Sequence, residues 1–94
     1  MPSQKLEIVL SSRIKKDFKL LQKRGYNFDL LDEVVEMLAH RIVLPPKYKD
    51  HLLSGDYNGF RECHIQPDWL LIYKVVENDL YLLLSRSGSH SDLF

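Results

Sequence analysis

The stretch that most restricts the fold is Gly59 to Lys74, GFRECHIQPDWLLIYK. Phe60, Glu62 and His64 alternate with Arg61, Cys63 and Ile65, and a strand sends successive side chains to opposite faces. Gln66, Pro67 and Asp68 supply turn chemistry: proline pre-sets φ, and aspartate bonds its own backbone. Trp69 to Val76 follows as a nearly unbroken apolar run, the pattern of an interior strand. Strand, tight turn, strand is therefore the reading. It places two ionisable groups, His64 and Asp68, at one corner beside Trp69. It also puts Cys63 on the face away from His64.

The rest of the chain supports that hairpin. Lys5 to Leu10 carries β-branched and apolar residues and reads as a first strand. Ser11 or Ser12 then offers an N-cap hydroxyl. Ile14, Phe18 and Leu21 follow at helical spacing, with lysines between them. Gly25 suits the position just past a helix end. A second helix starts near Asn27, with Leu30, Leu31, Val34, Val35 and Leu38 as its buried stripe. Asp29, Asp32, Glu33 and Glu36 form its wet face. The short connection predicts an antiparallel helical pair. Pro45-Pro46 closes the helical part, and Lys47 to Asn58, which carries His51, reads as loop. Glu77-Asn78-Asp79 is a second turn, Leu80 to Ser87 a final strand, and Gly88 releases the chain into SHSDLF. The order β-α-α-β-β-β predicts one α+β domain over residues 1–94. Its sheet is mainly antiparallel, with the helical hairpin on one face and the other face left for function.

A chain of 94 residues, 45% hydrophobic and 28% charged, suits a soluble domain with one modest core and excludes a disordered one. No apolar run is long enough to span a membrane. The start, MPSQKLEIVL, lacks the apolar segment of a signal peptide. A single cysteine makes no internal disulfide, which points to the reducing cytoplasm. Formal charge is zero, yet the first 26 residues are basic and the next stretch acidic. Lys15, Lys16 and Lys19 on the first helix are candidate contacts to nucleic-acid phosphates, the plainer alternative being a solvated helix face.

His51, His64 and His90 lie in the loop-and-strand half. Histidine gives and takes protons near neutrality. Asp68 and Glu62 add carboxylates, and Arg61 and Arg86 add cations suited to phosphate. Such a set can cleave RNA without metal. One group takes the 2′-OH proton, another protonates the leaving 5′-oxygen, and a cation stabilises charge on the phosphate. On spacing alone the plainer reading outweighs this one: solvated histidines, a turn aspartate, and Trp69 and Tyr73 as core. His51, His64 and Asp68 match no common zinc spacing.

The combination of motifs adds to the residue chemistry. Tyr48–His51 (YKDH), Arg61-Glu62-x-His64, Pro67-Asp68-Trp69 with the run to Tyr73, Gly88-Ser89-His90 and the final Leu93-Phe94 resemble the YafQ family of bacterial toxins, within the RelE/ParE superfamily. The resemblance covers nearly the whole chain and includes the lysine-rich first helix. It implies a RelE-like fold and the toxin of a type II toxin–antitoxin system. It further implies a ribosome-dependent endoribonuclease, or mRNA interferase, that cuts messenger RNA in the ribosomal A site by metal-independent acid–base catalysis. No cofactor is expected. The implied partners are a cognate antitoxin of the DinJ/RelB kind, the ribosome and A-site mRNA. Carried over residue by residue, the catalytic positions are His51, His64, Asp68, His90 and Phe94. Arg61, Glu62, Trp69 and Arg86 are expected as substrate contacts, with Glu62 standing where YafQ itself has aspartate. Leu93 and Phe94 are expected to anchor the tail by apolar burial, unless Phe94 stacks on a base. The alternatives are a ParE-like toxin that binds gyrase, or a non-catalytic interaction module of the same fold.

Overall fold

The alternating stretch becomes the middle of a five-stranded sheet. The computed structural model describes residues 5–94, so the first four residues of the expected domain lie outside the described residues. The strands are β1 (Glu7–Leu10), β2 (His51–Leu52), β3 (Arg61–Gln66), β4 (Trp69–Val76) and β5 (Tyr81–Gly88), in the spatial order β1-β5-β4-β3-β2. All neighbours are antiparallel except β1 and β5, which run parallel from Glu7↔Tyr81 to Leu10↔Leu84. A parallel pair needs a long crossover, and the helices and both hairpins together supply it.

The helical pair forms where its pattern places it. In α1 (Ser12–Lys23) the Ser11 hydroxyl accepts from the Ile14 N–H, and in α2 (Phe28–Ala39) the Asn27 side chain accepts from the Asp29 N–H. Each cap satisfies a donor that the helix itself cannot. Gly25 takes φ 78° between them, a conformation that costs glycine little. Ile14, Leu21, Leu31, Val34, Val35 and Leu38 pack against Cys63, Ile65, Trp69, Leu71, Tyr73, Leu82 and Leu84. Both helices therefore cover one sheet face. Leu30, expected in the buried stripe, is only half-buried. Leu70 and Ile72 point the other way and are still fully buried, because β4 lies inside the sheet and is covered on both sides.

Two stretches differ from the sequence reading. The expected loop from Lys47 to Asn58 contains β2 and 3₁₀ turns at Pro46–Tyr48 and Gly55–Tyr57. The tail after Gly88 is also not loose: His90–Leu93 forms a short helix, α3. A further detail matters for the site. β5 runs past the end of β1, and the edge so exposed is closed by α1: Ser11 donates to the Ser85 carbonyl, and Asp17 accepts from the Ser87 N–H.

Candidate active site

Strand alternation and register bring the histidines together. His51 pairs with Glu62 across β2 and β3, and His64 with Leu70 across β3 and β4. His51, Glu62 and His64 therefore share the sheet face opposite the helices. The Gln66–Asp68 turn lies at the end of the same hairpin, and α3 folds back over it. Ring centroids of His51 and His64 are 6.5 Å apart, and those of His64 and His90 are 5.8 Å apart. Asp68 Oδ1 accepts from both the backbone N–H and ring Nδ1 of His90, each at 3.1 Å. The expected residues His51, His64, Asp68 and His90 thus form one arc, although the sequence separates them widely.

Hydrogen-bond partners fix the tautomers. His51 Nδ1 lies 2.7 Å from the Lys49 carbonyl, and His64 Nδ1 lies 3.2 Å from the Pro67 carbonyl. A carbonyl only accepts, so both Nδ1 atoms carry a proton, and Nε2 of each neutral ring does not. Both Nε2 atoms face the same oxygen, Glu62 Oε1, at 3.6 Å. That is too long for a direct hydrogen bond and close enough for the charge to be felt. Glu62 is itself only 5% exposed, so its field is poorly screened. Both Nε2 atoms thus look onto one carboxylate oxygen. His90 is arranged differently. Asp68 accepts a hydrogen bond from its Nδ1–H, and Nε2 is left with a lone pair on a half-exposed ring. The two hydrogen bonds from His90, that of the backbone N–H first, hold the Asp68 carboxyl below its usual range.

Polar groups rather than apolar burial lock α3 in place, which corrects the expectation for Leu93 and Phe94. Ser89 and Asp92 form a reciprocal capping box, and Arg24 at the end of α1 donates to Asp92 at 2.7 Å. The Arg24 hydrogen bond pulls the Asp92 carboxyl down to about 2. Gly88 permits the tight approach: a Cβ there would lie 2.9 Å from the Asp92 Cβ. Phe94 is 66% exposed and meets the Tyr57 ring edge-on at 6.2 Å.

Several expected substrate contacts lie elsewhere. Trp69 is 1% exposed, packs with Tyr26 and Phe28, and donates to Ser87 Oγ; it belongs to the core. Arg61 falls on the helix-bearing face by alternation, where Nε donates to Asp50 and Nη2 is 3.0 Å from it. Tyr73 donates to the same carboxylate. Burial, then the Asp50 hydrogen bond, raise the Tyr73 hydroxyl. Arg86 is paired with Asp17 through Nε and Nη2 and is largely buried. Lys15, Lys16 and Lys19 are exposed on α1 and, among the described residues, make no ion pair with the histidine arc. Cys63 is buried on the helix side, where burial pushes its thiol up to about 12. The sequence reading missed Asp50, which fixes the chain beside His51, and Asp92, which the spacing Ser89-x-x-Asp92 announces. It also missed Tyr57, which had no signal beyond being aromatic.

The model of a family described as the bacterial toxin of type II toxin–antitoxin systems, YafQ, matches residues 6–94. The mRNA interferase toxin YafQ of Escherichia coli K12 is 40% identical over 89 residues, covering 94% of this chain and 95% of that protein. The toxin fold in the crystal structure of the E. coli DinJ-YafQ complex matches with a TM-score of 0.85 at 40% identity, over 98% of this chain and 99% of that one. A metal-bound toxin from Helicobacter pylori matches with a TM-score of 0.89 at 48% identity, over 95% and 99% of the two chains. Among the described residues of the present chain, no three His, Cys, Asp or Glu side chains are placed to hold an ion together.

Proposed function

The chain belongs to the YafQ family of bacterial type II toxins, and on that footing we propose that it is an mRNA interferase that cuts messenger RNA in the ribosomal A site. The observation that carries this reading is the arc of His51, His64 and His90 with a carboxylate behind each end. His90 Nε2 takes the proton of the ribose 2′-OH, and Asp68 steadies the imidazolium that forms. The freed 2′-oxygen attacks the adjacent phosphorus, and the bond from phosphorus to the 5′-oxygen breaks. His51 or His64, protonated at Nε2 and held by Glu62, gives its proton to that leaving oxygen. The products are a 2′,3′-cyclic phosphate and a 5′-hydroxyl. Water need not enter the first step, and no step requires a metal or a cofactor.

The partner that restrains the toxin is an antitoxin like DinJ, which is bound to YafQ in the E. coli complex. No helix among the described residues is long and apolar enough to cross a membrane, which agrees with work at the ribosome in the cytoplasm. The test is a translation reaction programmed with one defined mRNA, with 5′ ends mapped after addition of the purified chain. Discrete breaks within codons, dependent on ribosomes, are expected. Intact mRNA together with inhibited gyrase would overturn the reading in favour of a ParE-like toxin.

A further inference from the structure

Beyond the histidine arc lies a groove of about 690 Å³ lined by Arg13, Ser54, Asp56, Tyr57, Arg86 and Phe94, among others. We propose that this groove seats the nucleotide next to the scissile bond, with Phe94 and Tyr57 holding its base and Arg13 its phosphate. The inference rests on the RNA-cleaving reading of the arc.

Three observations support it. First, Phe94 is a large apolar side chain left 66% exposed, yet it is not free to wander. Its ring abuts Tyr57 at 78°, and Tyr57 in turn meets Phe60 at 6.1 Å and 82°. This edge-to-face series leaves a Phe94 surface for a base, and every base has a π-face to stack. Second, Phe94 follows His90 by one helical turn, and its N–H donates to the His90 carbonyl at 2.8 Å. The platform therefore starts about 5–6 Å along the helix from the proposed base. Third, the cation expected here, Arg86, is neutralised by Asp17. Arg13 lies four residues before Asp17 on α1 and so on the same stripe, next to Arg86 in the groove. It is exposed and, among the described residues, has no carboxylate partner. The groove thus keeps one uncommitted guanidinium, the group best matched to a phosphate. Asp56 lines the same groove and would repel bare phosphate. A nucleotide suits it better, because a base amino group or ribose hydroxyl can donate to that carboxylate.

The test separates this subsite from catalysis. A fluorescent hexaribonucleotide made uncleavable by 2′-O-methyl groups is titrated with the wild-type chain and the variants R13A, R13K, Y57F and Y57A, at several salt concentrations. Arg13 is exposed, so its variants should fold. R13A is expected to flatten the slope of log affinity against log salt by about 0.7, the value for one phosphate contact on a single strand. R13K should retain most of that slope. Y57A should weaken binding about 5- to 100-fold, and Y57F should not, because the ring rather than the hydroxyl supports the platform. An unchanged slope and affinity in R13A, or no binding by the wild-type chain, would overturn the subsite. Absence of mRNA cleavage by a wild-type chain that binds the oligonucleotide in this pattern would instead sink the nuclease reading and leave the groove as an RNA site.

Discussion

His90 shows how much depends on one ring nitrogen. Asp68 accepts from its Nδ1, so in the neutral ring the lone pair lies on Nε2 of a half-exposed side chain. Glutamine in its place keeps some polar contacts and loses the ability to take a proton. His90→Gln is therefore expected to lower single-turnover cleavage of ribosome-bound mRNA by about 10²–10⁴-fold, with the far-UV spectrum and antitoxin binding unchanged. A wild-type rate in that variant would remove His90 from the chemistry and pass its role to His51 or His64. Single residues were unevenly legible in the sequence. Alternation correctly sorted Cys63 from His64, because a period of two is enforced by the backbone. The same alternation placed Arg61 with Cys63, on the helix-bearing face, and so argued against Arg61 as a contact. Motif resemblance outweighed that signal. Trp69 was ambiguous for another reason: a tryptophan at a strand start suits a core and a stacking platform equally, and only packing decides.

At the scale of elements, long periodic segments were readable and short ones were not. Both helices and the β3–β4 hairpin follow from stripes, caps and a Pro-Asp turn. β2 has two residues and α3 has four, too few to show a period, yet they carry His51 and His90. α3 is held mainly by Asp92, through its capping box and Arg24. The Asp92 carboxyl falls from its ordinary 3.8 to about 2 in the folded chain. Its contribution to stability is thus complete above about pH 4 and disappears as pH falls toward 2. Asp92→Asn is expected to loosen α3 at neutral pH. Amide exchange at Leu93 and Phe94 should rise several-fold, and cleavage should fall about tenfold as His90 loses its position, while β4 amides stay protected. Unchanged exchange at Phe94 would show that something other than Asp92 fastens the helix.

Across the whole molecule, one core lies between the helical pair and the sheet, and the arc lies on the far side of that sheet. Composition and element order foretold the two layers, since helices grouped before hairpin strands have few other ways to bury their stripes. They did not foretell that the first strand would lie beside the last, because strand order across a sheet is a tertiary choice. That placement has a consequence in time. Contacts between β1 and β5 join the two ends of the chain, and closing so long a loop makes folding slow and late. During synthesis, β4 emerges without its β5 partner, and α1 without the edge that Asp17 closes. A fragment of residues 1–80 is expected to remain sensitive to protease and to lack dispersed amide signals; a compact, protected fragment would contradict this. Activity is thereby tied to the completion of translation of the chain itself. A chain stopped early already carries His51 and His64, but it has no finished sheet to hold them to a common purpose.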